Sequence, residues 1–178
     1  MNRILSITTL GVALLGAGLT TLDANASSRR VVYPNAAGGT TASAAVARQS
    51  ANGGAFVRGA GVKTDGQGNA TAAGGSAWRG PNGATAARAG STTRSADGSI
   101  EHRSGLQAQG AKGSVTSSGS ARRDAAGDIT QNRTSTATSA TTGNTAQTTS
   151  AYNSGTGRTR TTTCYDSTGA AIACPARP

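Results

Sequence analysis

The sequence predicts an all-β fold: a glycine-punctuated repetitive β-meander or thin β-solenoid with 15-residue repeats, preceded by a signal peptide and a flexible N-terminal segment. Three observations predict it. Gly38, Gly53, Gly68, Gly83, Gly98 and Gly113 stand 15 residues apart, and the series drifts only slightly through Gly127, Gly143, Gly157 and Gly169. The residues beside these glycines are turn formers, as in Asn52-Gly53, Asp65-Gly66, Pro81-Asn82-Gly83 and Asp97-Gly98, where Asn and Asp tolerate the positive φ of a tight reversal. A β-branched residue then recurs two places after the glycine, at Ile100, Val115 and Ile129, with Thr85 and Thr145 as polar equivalents, which is a strand pattern of period two with one weakly apolar face.

A second glycine series, Gly59, Gly74 or Gly75, Gly90, Gly105 and Gly119, lies half a period away. It predicts a reversal every seven or eight residues and strands of about five residues between them. Helix is a poor alternative, because Gly and Thr both disfavour it. Disorder is the serious competitor. Large apolar side chains are few and small polar ones abundant, yet disorder does not account for a ruler held across six glycines. Hairpin-type turn residues favour the meander over the solenoid, in which like residues of successive coils would stack as ladders. Either form exposes strand edges, so self-association through β edges is an expected interaction.

A conventional core is excluded by composition. The chain has 178 residues with 26 Gly, one Phe, one Trp, three Tyr and one Met. Burying a large apolar side chain contributes roughly 1.5–3 kcal/mol, whereas ordering each residue's backbone opposes folding by roughly 1–2 kcal/mol. The dozen large apolar residues beyond position 26 cannot organise the whole chain that way.

Residues 1–26 read as a cleavable leader. Arg3 supplies the positive start, Ile4 to Leu22 is apolar, and Ala24-Asn25-Ala26 is a small-x-small site predicting cleavage between Ala26 and Ser27. The expected address is therefore periplasmic, extracellular or cell surface, with no transmembrane span after cleavage. Residues 27–50 read as the flexible segment, 51–160 as the glycine-rich β-repeat region, and 161–178 as a disulfide-stapled hairpin and tail. Cys164 and Cys174 are the two cysteines. They flank a turn, and an oxidising compartment predicts a bond between them.

Charge is the remaining signal. Lys and Arg number 17 against 7 acidic residues, a net +10, and beyond position 26 the balance is 16 against 6. Dispersed Arg favours non-specific binding of anionic polymers such as extracellular DNA, lipopolysaccharide or acidic polysaccharide; it also serves solubility. Chemistry is sparse. His102 and Glu101 are single representatives of their types, and neighbours in a strand point to opposite faces. No nucleophile elbow, P-loop or metal-ligand pattern occurs. No catalytic, cofactor-binding or metal residues, and no small-molecule substrate, are expected. The expectation is a non-enzymatic structural protein, a matrix or fibre component, with a polycationic binder of anionic polymers as the alternative.

Two short stretches carry family likenesses. Gly66-Gln67-Gly68-Asn69-Ala70-Thr71-Ala72 resembles the glycine, asparagine and alanine part of curlin-type repeats, the units of bacterial amyloid fibres, over one unit and without their regular glutamines. Tyr165-Asp166-Ser167-Thr168-Gly169 resembles the core of a single YD repeat. Both likenesses imply a surface- or fibre-associated role.

Overall fold

A computed structural model describes residues 27–175. The proposed leader, including Ala26, lies outside the described residues, and Ser27 opens the first strand. The chain forms one open antiparallel sheet: β1 (Ser27–Pro34), β2 (Thr40–Gln49), β3 (Ala55–Thr64), β4 (Ala70–Arg79), β5 (Thr85–Arg94), β6 (Ile100–Gly110), β7 (Gly113–Arg123), β8 (Ile129–Ser139), β9 (Thr145–Asn153), β10 (Gly157–Tyr165) and β11 (Ala171–Ile172). Each strand pairs only with its sequence neighbours, in the order β1 to β11. This is the meander and not the solenoid.

Local chemistry sets the hairpins. Six five-residue loops share one hydrogen-bond plan, in which the amide of the fourth loop residue, a glycine, donates to the carbonyl of the first: Gly38 to Asn35, Gly53 to Ser50, Gly83 to Gly80, Gly98 to Ser95, Gly127 to Asp124 and Gly169 to Asp166. Asn, Ser or Asp at the first place and Gly at the fourth is the preference of a type I turn. The first side chain closes the loop further: Asp166 Oδ1 accepts from the amides of Thr168 and Ala170 at 2.9 and 3.0 Å, and Asn35 Oδ1 accepts from Ala37 and Gly39. The 15-residue ruler is thus a ten-residue strand plus a five-residue loop, seen in β2 to β5.

One expectation needs correction here. The half-period glycines are not turns. They lie in mid-strand, paired as Gly59 with Gly75 and Gly74 with Gly90, so the strands are about twice as long as the glycine count suggested. Residues 27–50 carry β1 and β2 in continuous register. The pairing of β10 to β9 runs unbroken from Gly157 to Tyr165.

Among the described residues no second layer covers this sheet, and Cys164, 4 % exposed, is the one buried hydrophobic residue. Trp78 is 48 % exposed and Leu106 39 %. Cohesion therefore comes from the main-chain ladder and from cross-strand side-chain pairs, each contributing roughly 0.2–1 kcal/mol. Phe56 opposite Trp78, the Ser117–Ser135 hydroxyl pair at 2.8 Å and the Thr148–Thr162 pair at 2.9 Å are examples. Loops at one end of the sheet are tied to one another as well. Asn35 Nδ2 donates to the Thr64 carbonyl at 2.8 Å, the Ala96 amide donates to Asn69 Oδ1 at 2.8 Å, and Ser154 Oγ donates to Asp128 Oδ1 at 3.1 Å.

Candidate functional site

Residues paired across antiparallel strands share a face, and alternate residues along a strand belong to opposite faces. Applied to the observed register, this divides the sheet into two unlike surfaces. One carries Arg30, Arg48, Arg58, Arg88, Arg94, Arg123, Arg133, Arg158 and Arg160. No Asp or Glu of any strand lies on it; the strands' single acid, Glu101, is on the other face with Arg103, whose guanidinium meets it at 2.6 Å. We call the first the arginine face. The second face is dominated by Thr, Ser and Ala, as in the ladder Ser118–Thr134–Thr149–Thr161.

The arginine face also collects most of the large apolar side chains. Phe56, Trp78, Ala86, Ala108, Val115, Ala137, Ala146 and Cys164 form one continuous ladder from β3 to β10. Along the midline of the same face runs a floor of small residues, Ala44–Ala60–Gly74–Gly90–Ser104–Gly119. Glycine inside a strand weakens it unless a bulge, a bend or a close approach uses the missing side chain. The ladders here are unbulged. At Gly119 the use is visible: an added Cβ would lie 3.4 Å from Cζ of Arg133. That arginine crosses over the glycine, donating to Ser117 Oγ at 2.8 Å and to Ser104 Oγ at 3.0 Å. Beside it is a hollow of 580 Å³ whose lining includes His102, Arg133, Tyr152 and Arg158. A second hollow, 530 Å³, lies at the β11 end of the apolar ladder against Val115, Cys164, Ile172 and Pro175.

Five aspartates lie in loops, at positions 65, 97, 124, 128 and 166. Hydrogen bonds within the loops hold three of them below the usual carboxylate range: Asp65 through the Asn69 side chain and the Gln67 amide, Asp97 through the Ser99 side chain and amide, and Asp166 through Thr168 and the Ala170 amide. These carboxylates are turn-closing groups. Glu101 and His102 fall on opposite faces; His102 Nδ1 lies 2.8 Å from the Thr92 hydroxyl.

The turn glycines named from sequence, Gly53, Gly68, Gly83, Gly98, Gly113, Gly127, Gly143, Gly157 and Gly169, all have positive φ and lie in hairpin connections or at the strand residue that follows one. Cys164 and Cys174 are bonded, with their Cα atoms 5.2 Å apart. Sequence reasoning missed the sorting of arginine to one face. No helix among the described residues is long and apolar enough to cross a membrane. No family model, curated protein or solved structure matches this chain.

Proposed function

We propose that this chain is an exported, non-enzymatic structural protein, a matrix or fibre component, that works through broad surfaces and not through an enclosed site. The observation that carries the reading is the single-layer sheet, open at both edges, with both faces in water. Apolar side chains left 37–56 % exposed gain by being covered, and unpaired edges template further pairing. Among the described residues nothing pairs with the outer edge of β1, and β11 covers only Cys164 and Tyr165 of β10. Joining β10 of one copy to β1 of the next is a head-to-tail contact, which extends a filament instead of closing a dimer. Arg30 on one edge would then share a face with Arg158 and Arg160 on the other, so assembly of this kind strengthens as salt screens the repulsion. Sedimentation velocity of the chain from Ser27 onward, over a concentration and salt series, tests it. Growth with concentration and salt supports the reading; a monomer under every condition overturns it.

The sorting of nine arginines onto one acid-free face supports a second reading, a polycationic binder of anionic polymers. Salt separates the two, since binding through Arg to a polyanion weakens steeply as salt rises.

A further inference from the structure

We infer that the midline of the arginine face is a track for an acidic polysaccharide lying across the strands. The inference deepens the second reading above and rests on it. Its first support is the placement of charge. Arg58 and Arg88 occupy one ladder, separated by Ser76 on β4, and Arg133 and Arg160 occupy the adjoining ladder, separated by Ser150 on β9. Each pair is therefore two strands, about 10 Å, apart. The longer interval between Arg88 on β5 and Arg133 on β8 is filled by the Arg133 side chain itself, whose guanidinium reaches back over β7 to Ser104 on β6. With Arg30 at the far edge, five guanidinium groups follow one line from β1 to β10, over about 43 Å of nine strand spacings. All five are exposed, and no acidic side chain on that face neutralises them.

The ground between the arginines is low and hydroxyl-bearing. Gly74, Gly90 and Gly119 lower the midline floor, and a ligand that approaches the backbone closely is one of the few uses a mid-strand glycine has. Ser76, Ser104, Ser117 and Ser150 alternate with the arginines along the line. Guanidinium groups recognise carboxylate or sulfate in a bidentate manner, and serine hydroxyls both donate to and accept from sugar hydroxyls. The spacing of strands, close to the rise of one pyranose, lets an extended chain keep step with charges on alternate strands.

Nucleic acid is the less suitable occupant. Single strands are held by base stacking on aromatic side chains, and the aromatic residues of this face, Phe56, Trp78 and Tyr152, lie in the ladders beside the line and not along it. A duplex laid on a flat sheet would present only a narrow strip of phosphates to it.

The test compares two triple variants of the chain from Ser27 onward with the same loss of charge: Arg58→Gln/Arg88→Gln/Arg133→Gln on the track, and Lys63→Gln/Arg79→Gln/Arg122→Gln on the opposite face. Circular dichroism first verifies that each retains the wild-type β spectrum, and a track variant that does not is replaced by the three single substitutions. Binding is read by anisotropy of a labelled oligogalacturonate at about 0.15 M salt, beside a thymidine oligonucleotide of equal charge and a neutral dextran. The expected result is about 30-fold weaker oligogalacturonate binding for the track variant, three exposed ion pairs being lost, and less than threefold for the control variant, with the oligonucleotide weaker than the oligogalacturonate and dextran not bound. Equal losses in both variants overturn the track but leave polyanion binding standing. Preference for the oligonucleotide overturns the choice of polysaccharide. No binding of any anionic probe overturns the underlying reading together with the track.

Discussion

Reducing the Cys164–Cys174 bond separates a sheet held strand by strand from a domain held by a shared core. The bond closes an 11-residue loop, ten residues of sequence separation, and the chain-entropy relation for a loop of that size puts its contribution at about 2.8 kcal/mol. Because each 1.4 kcal/mol is a factor of ten, opening of the stapled end should become about 100-fold more frequent on reduction. In a domain with one core that loss would be felt by every element. Here β11 touches only β10, and β10 touches only β9 and β11, so the loss should stay near the staple as it does in a one-dimensional array. Amide hydrogen exchange followed by mass spectrometry, with and without reductant, measures this. Amides of β11 and of the 166–170 loop should exchange up to about 100-fold faster when reduced, the effect should decline through β10 and β9, and β2 to β6 should be unchanged. Uniform acceleration from β1 to β11 would refute the reasoning, since it requires a cooperative core; no acceleration anywhere would remove the staple's role.

Four further outcomes follow from the same geometry. Gly98→Ala forces a side chain onto φ +85° but meets nothing within 4 Å, so it should destabilise by only about 1 kcal/mol, whereas Gly113→Ala adds overlap with the Thr138 carbonyl to a positive φ and should lower the melting temperature at least twice as much. Gly119→Val places Cβ 2.8 Å from the Asn132 carbonyl and against Arg133; it should break the Arg133 bonds to Ser117 and Ser104 and loosen β7–β8, visible as faster exchange of those amides alone. The folded-state pKa values of Asp65, Asp97 and Asp166 are depressed, so the order they lend their loops is complete above the unfolded carboxylate range and lost as pH falls through the folded values. Amide resonances of those loops should broaden or collapse as pH falls below the ordinary carboxylate range of about 4, and loops unchanged on acidification would contradict the assignment. Asp166→Ala should remove three loop bonds, two from Thr168 and one from Ala170, and raise exchange of the terminal hairpin, while Asp128→Ala, at a different loop, should leave that hairpin untouched.

Much of the turn plan was legible. The glycine ruler located the hairpins because a positive φ at the fourth loop position is nearly the preserve of glycine, and no non-glycine residue described here adopts it. The half-period glycines misled for the same reason: glycine punctuates turns and also lets a backbone be approached closely. A discriminating signal was present. Three residues before the turn glycines Gly38, Gly53, Gly98, Gly127 and Gly169 stand Asn35, Ser50, Ser95, Asp124 and Asp166, the side chains that close a type I loop. Before Gly59 and Gly90 stand Phe56 and Ala87, which cannot do so, and before Gly105 and Gly119 stand His102 and Thr116, which are outside the Asp, Asn and Ser preference of that position.

What the sequence determined by itself is local: where the chain reverses, that the stretches between are extended, that large apolar side chains are too few for a core, and that two cysteines flank one loop. Which side chains share a face was decided only in the assembled sheet. Five residues between the closing pair of a hairpin match even-numbered residues with even, so Arg58 and Arg88 fall together; the two residues between Gly110 and Gly113 reverse that parity, and the six between Thr138 and Thr145 restore it. Because a shift of one residue moves every side chain of a strand to the other face, odd-numbered Arg123 and Arg133 join even-numbered Arg88 and Arg160 only through those two loop lengths. The arginine face is a property of register, and register is set by pairing across strands, which no single strand's sequence contains.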